Sequence, residues 1–227
     1  MSLDHPVITV DGPSGAGKGT LSLWLAEKLR FHLLDSGALY RLSAMAAKTQ
    51  NIDLNDEIAV AEISKTLKVS FKPQDGSVAV MLDGQDVSSV LRTEDAGMAA
   101  SKVAALPKVR EALVSRQRNF VEAPGLVADG RDMGTTIFPG ADAKIFLTAS
   151  AETRAKRRFC QLQESGVVAD YDKILEDIRA RDDKDSNRSA SPLKPADDAL
   201  LIDSSHLTID SVCAQALEYV RARLGTD

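Results

Sequence analysis

The sequence predicts an α/β fold, with a five-stranded parallel sheet, helices on both of its faces in a three-layer arrangement, and a small antiparallel β insert. Three observations predict it. Five short apolar runs, at residues 7–10, 31–34, 126–128, 144–147 and 200–202, are separated by long stretches of helical periodicity. A glycine-rich loop follows the first run directly, and residues 67–90 break the alternation with a period of two. Parallel strands need crossover connections and become buried on both sides, so apolar runs alternating with helices read as a covered parallel sheet.

The elements follow in order. Residues 7–10 are a β-branched apolar run ending at Asp11-Gly12. After Lys18, the leucines Leu21, Leu25 and Leu29 recur at i, i+4 and i+8, the spacing of one helix face. The second run ends at Asp35-Ser36-Gly37 and the third at Asp129-Gly130-Arg131-Asp132. Ligands gather at the carboxyl ends of parallel strands, so these three polar ends predict one shared site. Between them, Leu67, Val69 and Phe71 alternate with Lys68, Ser70 and Lys72, and Asp75-Gly76 and Asp83-Gly84 punctuate on either side of residues 78–82. That pattern predicts an antiparallel meander inside an insert at about 63–102. Ala151, Ala155, Phe159 and Leu162 form the apolar face of a later helix, placing Arg157 on the opposite side, toward phosphate. A short lid is expected at about 157–170, around Gly166, within a single domain spanning 1–227.

Composition bounds the function. The 227 residues are 44% hydrophobic and 27% charged, ordinary for a folded globular chain. A formal net charge of −5 provides no overall attraction for nucleic acid or an anionic membrane, so phosphate binding must rest on local arginines. Cys160 and Cys213 have no partner spacing and read as free thiols. No apolar stretch is long enough to span a membrane, and a cytoplasmic monomer is expected.

The chemistry starts at Gly12-Pro13-Ser14-Gly15-Ala16-Gly17-Lys18-Gly19-Thr20. This is P-loop spacing, in which backbone N–H groups curl around phosphate oxygens at a helix N-terminus. Gly19 stands where a hydroxyl residue usually follows the lysine, so the hydroxyl near a metal comes from Thr20, a spacing found in nucleoside monophosphate kinases. Neither an Asn-Lys-x-Asp nor an Asp-x-x-Gly element occurs, which argues against a regulatory GTPase. Phosphoryl transfer between two nucleotides brings polyanions together, and arginines are the expected counter-charges. Candidates are Arg41, Arg131, Arg154, Arg157, Arg158, Arg181 and Arg188. Arg181, Asp185 and Arg188 fall at i, i+4 and i+7, so a continued helix would align them on one face.

The blocks DGPSGAGKGT at 11–20, LLDSGALYR at 33–41, SKVAALPKVREAL at 101–113, DGRDMGT at 129–135 and RARDDKDSNR at 179–188 make the chain resemble the bacterial cytidylate kinases over nearly its whole length. The resemblance implies ATP as donor, CMP or dCMP as acceptor, and Mg²⁺. By the same resemblance Ser101, Arg110 and Asp132 contact cytosine, while Arg41 and Arg131 hold the acceptor phosphate. Arg181 and Asp185 would hold the sugar and Arg188 phosphate charge, with Ser14, Ser36 and Asp129 near phosphate and metal. Lys18, Arg131, Arg188 and Asp129 are the expected catalytic set, residues 12–20 and Arg157 bind ATP, and Thr20 with Asp129 faces the metal. Two other readings stand beside this one: a P-loop kinase acting on a metabolite hydroxyl, and a nucleotide-binding module without turnover.

Overall fold

The computed structural model describes residues 4–74, 77–91, 93–188 and 190–225. Its main sheet contains β1 (Val7–Asp11), β2 (His32–Asp35), β6 (Leu126–Gly130), β7 (Ala143–Thr148) and β8 (Leu200–Asp203). They lie in the order β2-β6-β1-β7-β8, and every neighbouring pair is parallel. The five apolar runs of the sequence are these five strands, displaced by at most a residue or two at their ends.

The alternation of side chains along the central strands builds two cores. Val7, Leu126 and Ala128 point to one side, with buried residues of α2 (Ser36–Thr49), α3 (Glu57–Thr66) and α6 (Pro107–Arg118). Ile8, Val10 and Val127 point to the other, against α1 (Lys18–Leu29) and α9 (Ile209–Leu224). A period of two on strands buried on both faces makes three layers. Leu21 and Leu25 are buried in the second core and Leu29 packs against it, as the i, i+4, i+8 spacing predicts.

The insert forms a second sheet, antiparallel and in the order β3-β4-β5, from β3 (Val69–Gln74), β4 (Ser77–Leu82) and β5 (Gln85–Asp86). Asp83 and Gly84 both have positive φ, the conformation a two-residue hairpin turn requires. The other expected turn, Asp75-Gly76, lies outside the described residues. Val69 and Phe71 pack on the first core, and the Phe71 ring lies 5.5 Å from that of Phe120. Two short helices, α4 (Ser88–Leu91) and α5 (Glu94–Val103), lead back to the main body.

Beyond β7 the chain makes a helical hairpin of α7 (Ala151–Glu164) and α8 (Tyr171–Ser186). Residues 157–164 of the expected lid are therefore the end of α7, and Gly166 turns the chain with φ 72°. Two expectations need correcting here. The buried residues of α7 are Arg154 and Ala155, because Arg154 has polar partners beneath it that an apolar-face count overlooks. In addition, α8 stops at Ser186 with Asn187 as its cap, so Arg188 lies past the helix rather than in its i+7 row.

Candidate active site

Three strand ends meet as the sequence predicts, and they line a cleft of about 370 Å³. Its floor is the P-loop. The loop holds its shape through backbone conformations reserved for glycine: Gly12 has φ 146°, and a Cβ there would lie 1.9 Å from the Leu147 carbonyl oxygen. Gly17 caps α1 in the left-handed region with no side-chain hydrogen bond, leaving the first helical N–H groups to a ligand. Ser14, Gly15, Gly17, Lys18, Gly19 and Thr20 line the cleft. Gly12, Pro13 and Ala16 support the loop from behind: Pro13 O accepts from Lys18 Nζ at 2.9 Å, and Ala16 O accepts from Ser204 Oγ at 3.2 Å.

Lys18 is buried beside Asp129, with Nζ 4.0 Å from Oδ1. Burial, and then the nearby Arg131 guanidinium, push its ammonium down to about 7, while burial pushes the Asp129 carboxyl up to about 6. Both charges are poorly solvated without a ligand, a state that phosphates and a cation would relieve.

Opposite the loop stands a basic wall. Arg41 lies 3.6 Å from Asp35, whose other oxygen accepts the Ala38 N–H and caps α2. Arg131 Nε donates to Asp185 Oδ2 at 3.0 Å, and Arg188 Nη1 lies 4.0 Å from Asp185 Oδ1. Asp185 thus spaces two guanidinium groups even though the helix ends before Arg188. Arg188 also donates to Ser191 O at 3.0 Å, and burial holds its guanidinium below the usual arginine range. Among the residues lining the cleft, Lys18, Arg41, Arg110, Arg131, Arg181 and Arg188 outnumber Asp35, Asp129, Asp132 and Asp185 by two charges. A site with this excess attracts polyanions although the whole chain is acidic.

Another part of the cleft is built from α5, α6 and the segment after β6. Arg110 and Asp132 form a buried, directly hydrogen-bonded ion pair, and Arg110 also donates to Ala104 O at 3.3 Å. The guanidinium carbon lies 5.8 Å from the centroid of the Tyr40 ring. Ser101 lines the same part, and Ser36 Oγ donates to Gln117 Oε1 at 2.6 Å. A guanidinium, a carboxylate and a hydroxyl beside an aromatic face provide both donors and acceptors for a polar heteroaromatic base.

One expected ATP contact lies elsewhere. Arg157 is not among the residues lining the cleft; it donates to Ser204 Oγ at 3.1 Å and Ser204 O at 2.7 Å, behind the P-loop. Arg154, one of the candidate counter-charges, does not line the cleft either; it packs its side chain along Gly15 and donates to Ser14 O at 3.1 Å and Asp182 Oδ1 at 2.9 Å. Tyr40, Gln117 and Ser204 escaped the sequence reading. Tyr40 offered a signal, an aromatic on the polar strand-end helix, whereas Gln117 and Ser204 act through long-range contacts that no local spacing reveals.

A family model described as cytidylate kinase matches residues 8–222. The chain is 57% identical to the cytidylate kinase of Aliivibrio salmonicida over 224 residues, covering 99% of this chain and all of that relative. It is 58% identical to the cytidylate kinase of Vibrio cholerae over the same length and coverage. An uncharacterized protein from Eubacterium ventriosum shares the fold alone, with a TM-score of 0.52, 12% identity, and coverage of 96% of this chain and 99% of that one. A model match across nearly the whole chain, joined to identity above one half over the full length of its relatives, places this chain in the cytidylate kinase family.

Proposed function

We propose that the chain transfers the γ-phosphoryl group of ATP to CMP or dCMP, giving ADP and CDP or dCDP. Membership of the family supports a phosphotransferase acting on a phosphate acceptor. The observation that carries the reading is the cleft that brings together a P-loop with a buried lysine, several arginines and a buried Arg110–Asp132 pair.

In this reading the P-loop amides and Lys18 orient the donor phosphates. Arg41 and Arg131 hold the acceptor phosphate, Arg181 and Asp185 the sugar, and Arg188 offsets charge on the transferring group. Ser101, Arg110 and Asp132 recognise cytosine, with Ser14 and Ser36 close to phosphate and Arg157 reaching ATP through the loop it supports. The CMP phosphate is already ionised at neutral pH, so the reaction needs positioning and charge compensation rather than a strong base.

The donors near Lys18 suit Mg²⁺. Thr20 and Asp129 offer hard oxygens, and Gly19 keeps the approach open, since a Cβ there would lie 3.6 Å from Asp129 Oδ2. No cluster of three or more His, Cys, Asp or Glu side chains able to hold a metal occurs among the described residues, which fits an ion that shares its shell with phosphate and water. Bound there, Mg²⁺ would neutralise negative charge on the donor phosphates. The hairpin tip within 157–170 and the insert at about 63–102 are proposed to close over the nucleotides and exclude water. No described helix is long and apolar enough to cross a membrane; we take the enzyme to act as a cytoplasmic monomer without nucleic-acid partners. A coupled ADP-release assay over CMP, dCMP, UMP and AMP tests the reading, with strongest turnover expected on the two cytidylates. Inactivity on all four monophosphates refutes it.

A further inference from the structure

The five residues after Asp132 form a π turn, Met133–Ile137, whose own N-cap residue supplies no side-chain hydrogen bond. Its first N–H groups are instead satisfied from far along the chain. Asp11 Oδ1 accepts from Met133 N at 2.8 Å and Asp11 Oδ2 from Gly134 N at 2.8 Å, across 122 and 123 residues of sequence. At the other end, Arg118 Nε donates to Ile137 O at 2.9 Å and Nη2 to Thr136 O at 3.4 Å. A carboxylate and a guanidinium thus grip opposite ends of one short segment.

That segment sets the position of the cleft residues that precede it. Asp132 is buried, its backbone begins the turn with its carbonyl accepting from Thr136 N at 2.9 Å, and its side chain pairs with Arg110. Space around the turn is tight: a Cβ on Gly134 would lie 2.8 Å from Thr9 Oγ1, and one on Gly130 2.7 Å from Met133 Cγ. Single-turn π segments are uncommon and concentrate at functional sites, and this one has little freedom to relax if its anchor is lost.

We propose that Asp11 is a positioning residue for acceptor recognition: its carboxylate fixes the Met133–Gly134 backbone and thereby the placement of Asp132 and its pair with Arg110. Asp11 is not among the residues that line the cleft, so it acts through the turn. The inference rests on Asp132 reading the acceptor base, and it goes beyond that reading by naming what holds Asp132 in place.

Asp11→Asn is the test, because an amide offers one acceptor oxygen and turns an N–H₂ toward the second backbone N–H. The KM for CMP is expected to rise about tenfold, equivalent to ~1.4 kcal/mol, with the KM for ATP changed less than threefold. The variant Asp11→Asn/Asp132→Ala should bind CMP no more weakly than Asp132→Ala alone, since effects passing through one residue do not add. An unchanged KM for CMP, a change confined to ATP, or additive losses in the double variant each overturn the proposal. If Asp11→Asn fails to fold, the wild-type enzyme decides the question. Hydrogen exchange at the Met133 and Gly134 amides should slow at least about fivefold on binding CMP and not on binding a non-hydrolysable ATP analogue alone, and the absence of that difference overturns it equally. Wild-type turnover of CMP, measured alongside, keeps a failure of the underlying activity distinct from a failure of this inference.

Discussion

Replacing Asp132 with Ala removes the carboxylate from a pair in which the Arg110 and Asp132 side chains are 8% and 4% exposed. Breaking a buried pair by deleting one member costs about 3–5 kcal/mol, because the other charge stays desolvated. Arg110 retains its hydrogen bond to Ala104 O and the Tyr40 ring face, which favours the lower end, about 3 kcal/mol. For a chain of this size each kcal/mol moves the melting temperature by about 2–4 °C, so a fall of about 6–12 °C is expected in thermal unfolding of the nucleotide-free protein. A hydrogen bond to a charged group contributes about 1.5–3 kcal/mol, so kcat/KM for CMP should drop about 10- to 150-fold. UMP turnover should fall less, narrowing the preference between the two. Arg110→Met/Asp132→Leu removes both charges together and should recover most of the lost stability while leaving the preference weak. An Asp132→Ala variant that melts like the wild type and keeps its preference for CMP refutes the reasoning; so does a double variant whose destabilisation equals the sum of the two single losses.

Three further outcomes follow from the P-loop. Because burial lowers the Lys18 ammonium to about 7, the free enzyme is deprotonated there above that pH, whereas bound phosphates favour the protonated form. ATP binding at pH 8 should therefore take up a proton, and affinity should weaken as pH rises above about 7; calorimetry in buffers of different ionisation enthalpy reads the uptake, and finding none at pH 8 contradicts the placement. Lys18→Met should lower kcat by about 10²- to 10³-fold, the scale for losing one charge-stabilising donor, with a melting temperature no lower than the wild type because a poorly solvated charge is removed. Gly12→Ala and Gly19→Ala should separate folding from chemistry. The first places a Cβ 1.9 Å from the Leu147 carbonyl and should destabilise the fold by more than about 3 kcal/mol, whereas the second, 3.6 Å from Asp129, should melt near the wild type and lose turnover.

The sheet was legible because its signals are local. Strands buried on both faces are largely apolar, so residues 126–128 and 144–147, apolar but for Lys144, stand out among helical periodicities, and glycine and lysine at fixed offsets mark the loop after β1. The small antiparallel sheet was legible for the same reason, from its alternation and the Asp83-Gly84 turn. The contact of Arg157 with Ser204 was not legible because a helical wheel gives the direction of a side chain but not the partner waiting there, and Ser204 arrives from the loop after β8. The i, i+4, i+7 row from Arg181 to Arg188 assumed a helix that ends at Ser186; Asp185 nevertheless meets Arg131 and approaches Arg188, because the chain beyond the helix turns back.

By itself, then, the sequence determined the layer order, the phosphate-binding loop and the strand ends around which a site forms, since each depends on periodicity or on residues a few positions apart. Only the tertiary structure decided which charges pair. Arg110 with Asp132, Ser36 with Gln117, Arg154 with Ser14 and Asp182, and Asp11 with the turn after Asp132 join segments far apart in the chain. Such pairings form where folding brings desolvated polar groups together and each must find a partner, a condition set by burial in three dimensions rather than by spacing along the chain.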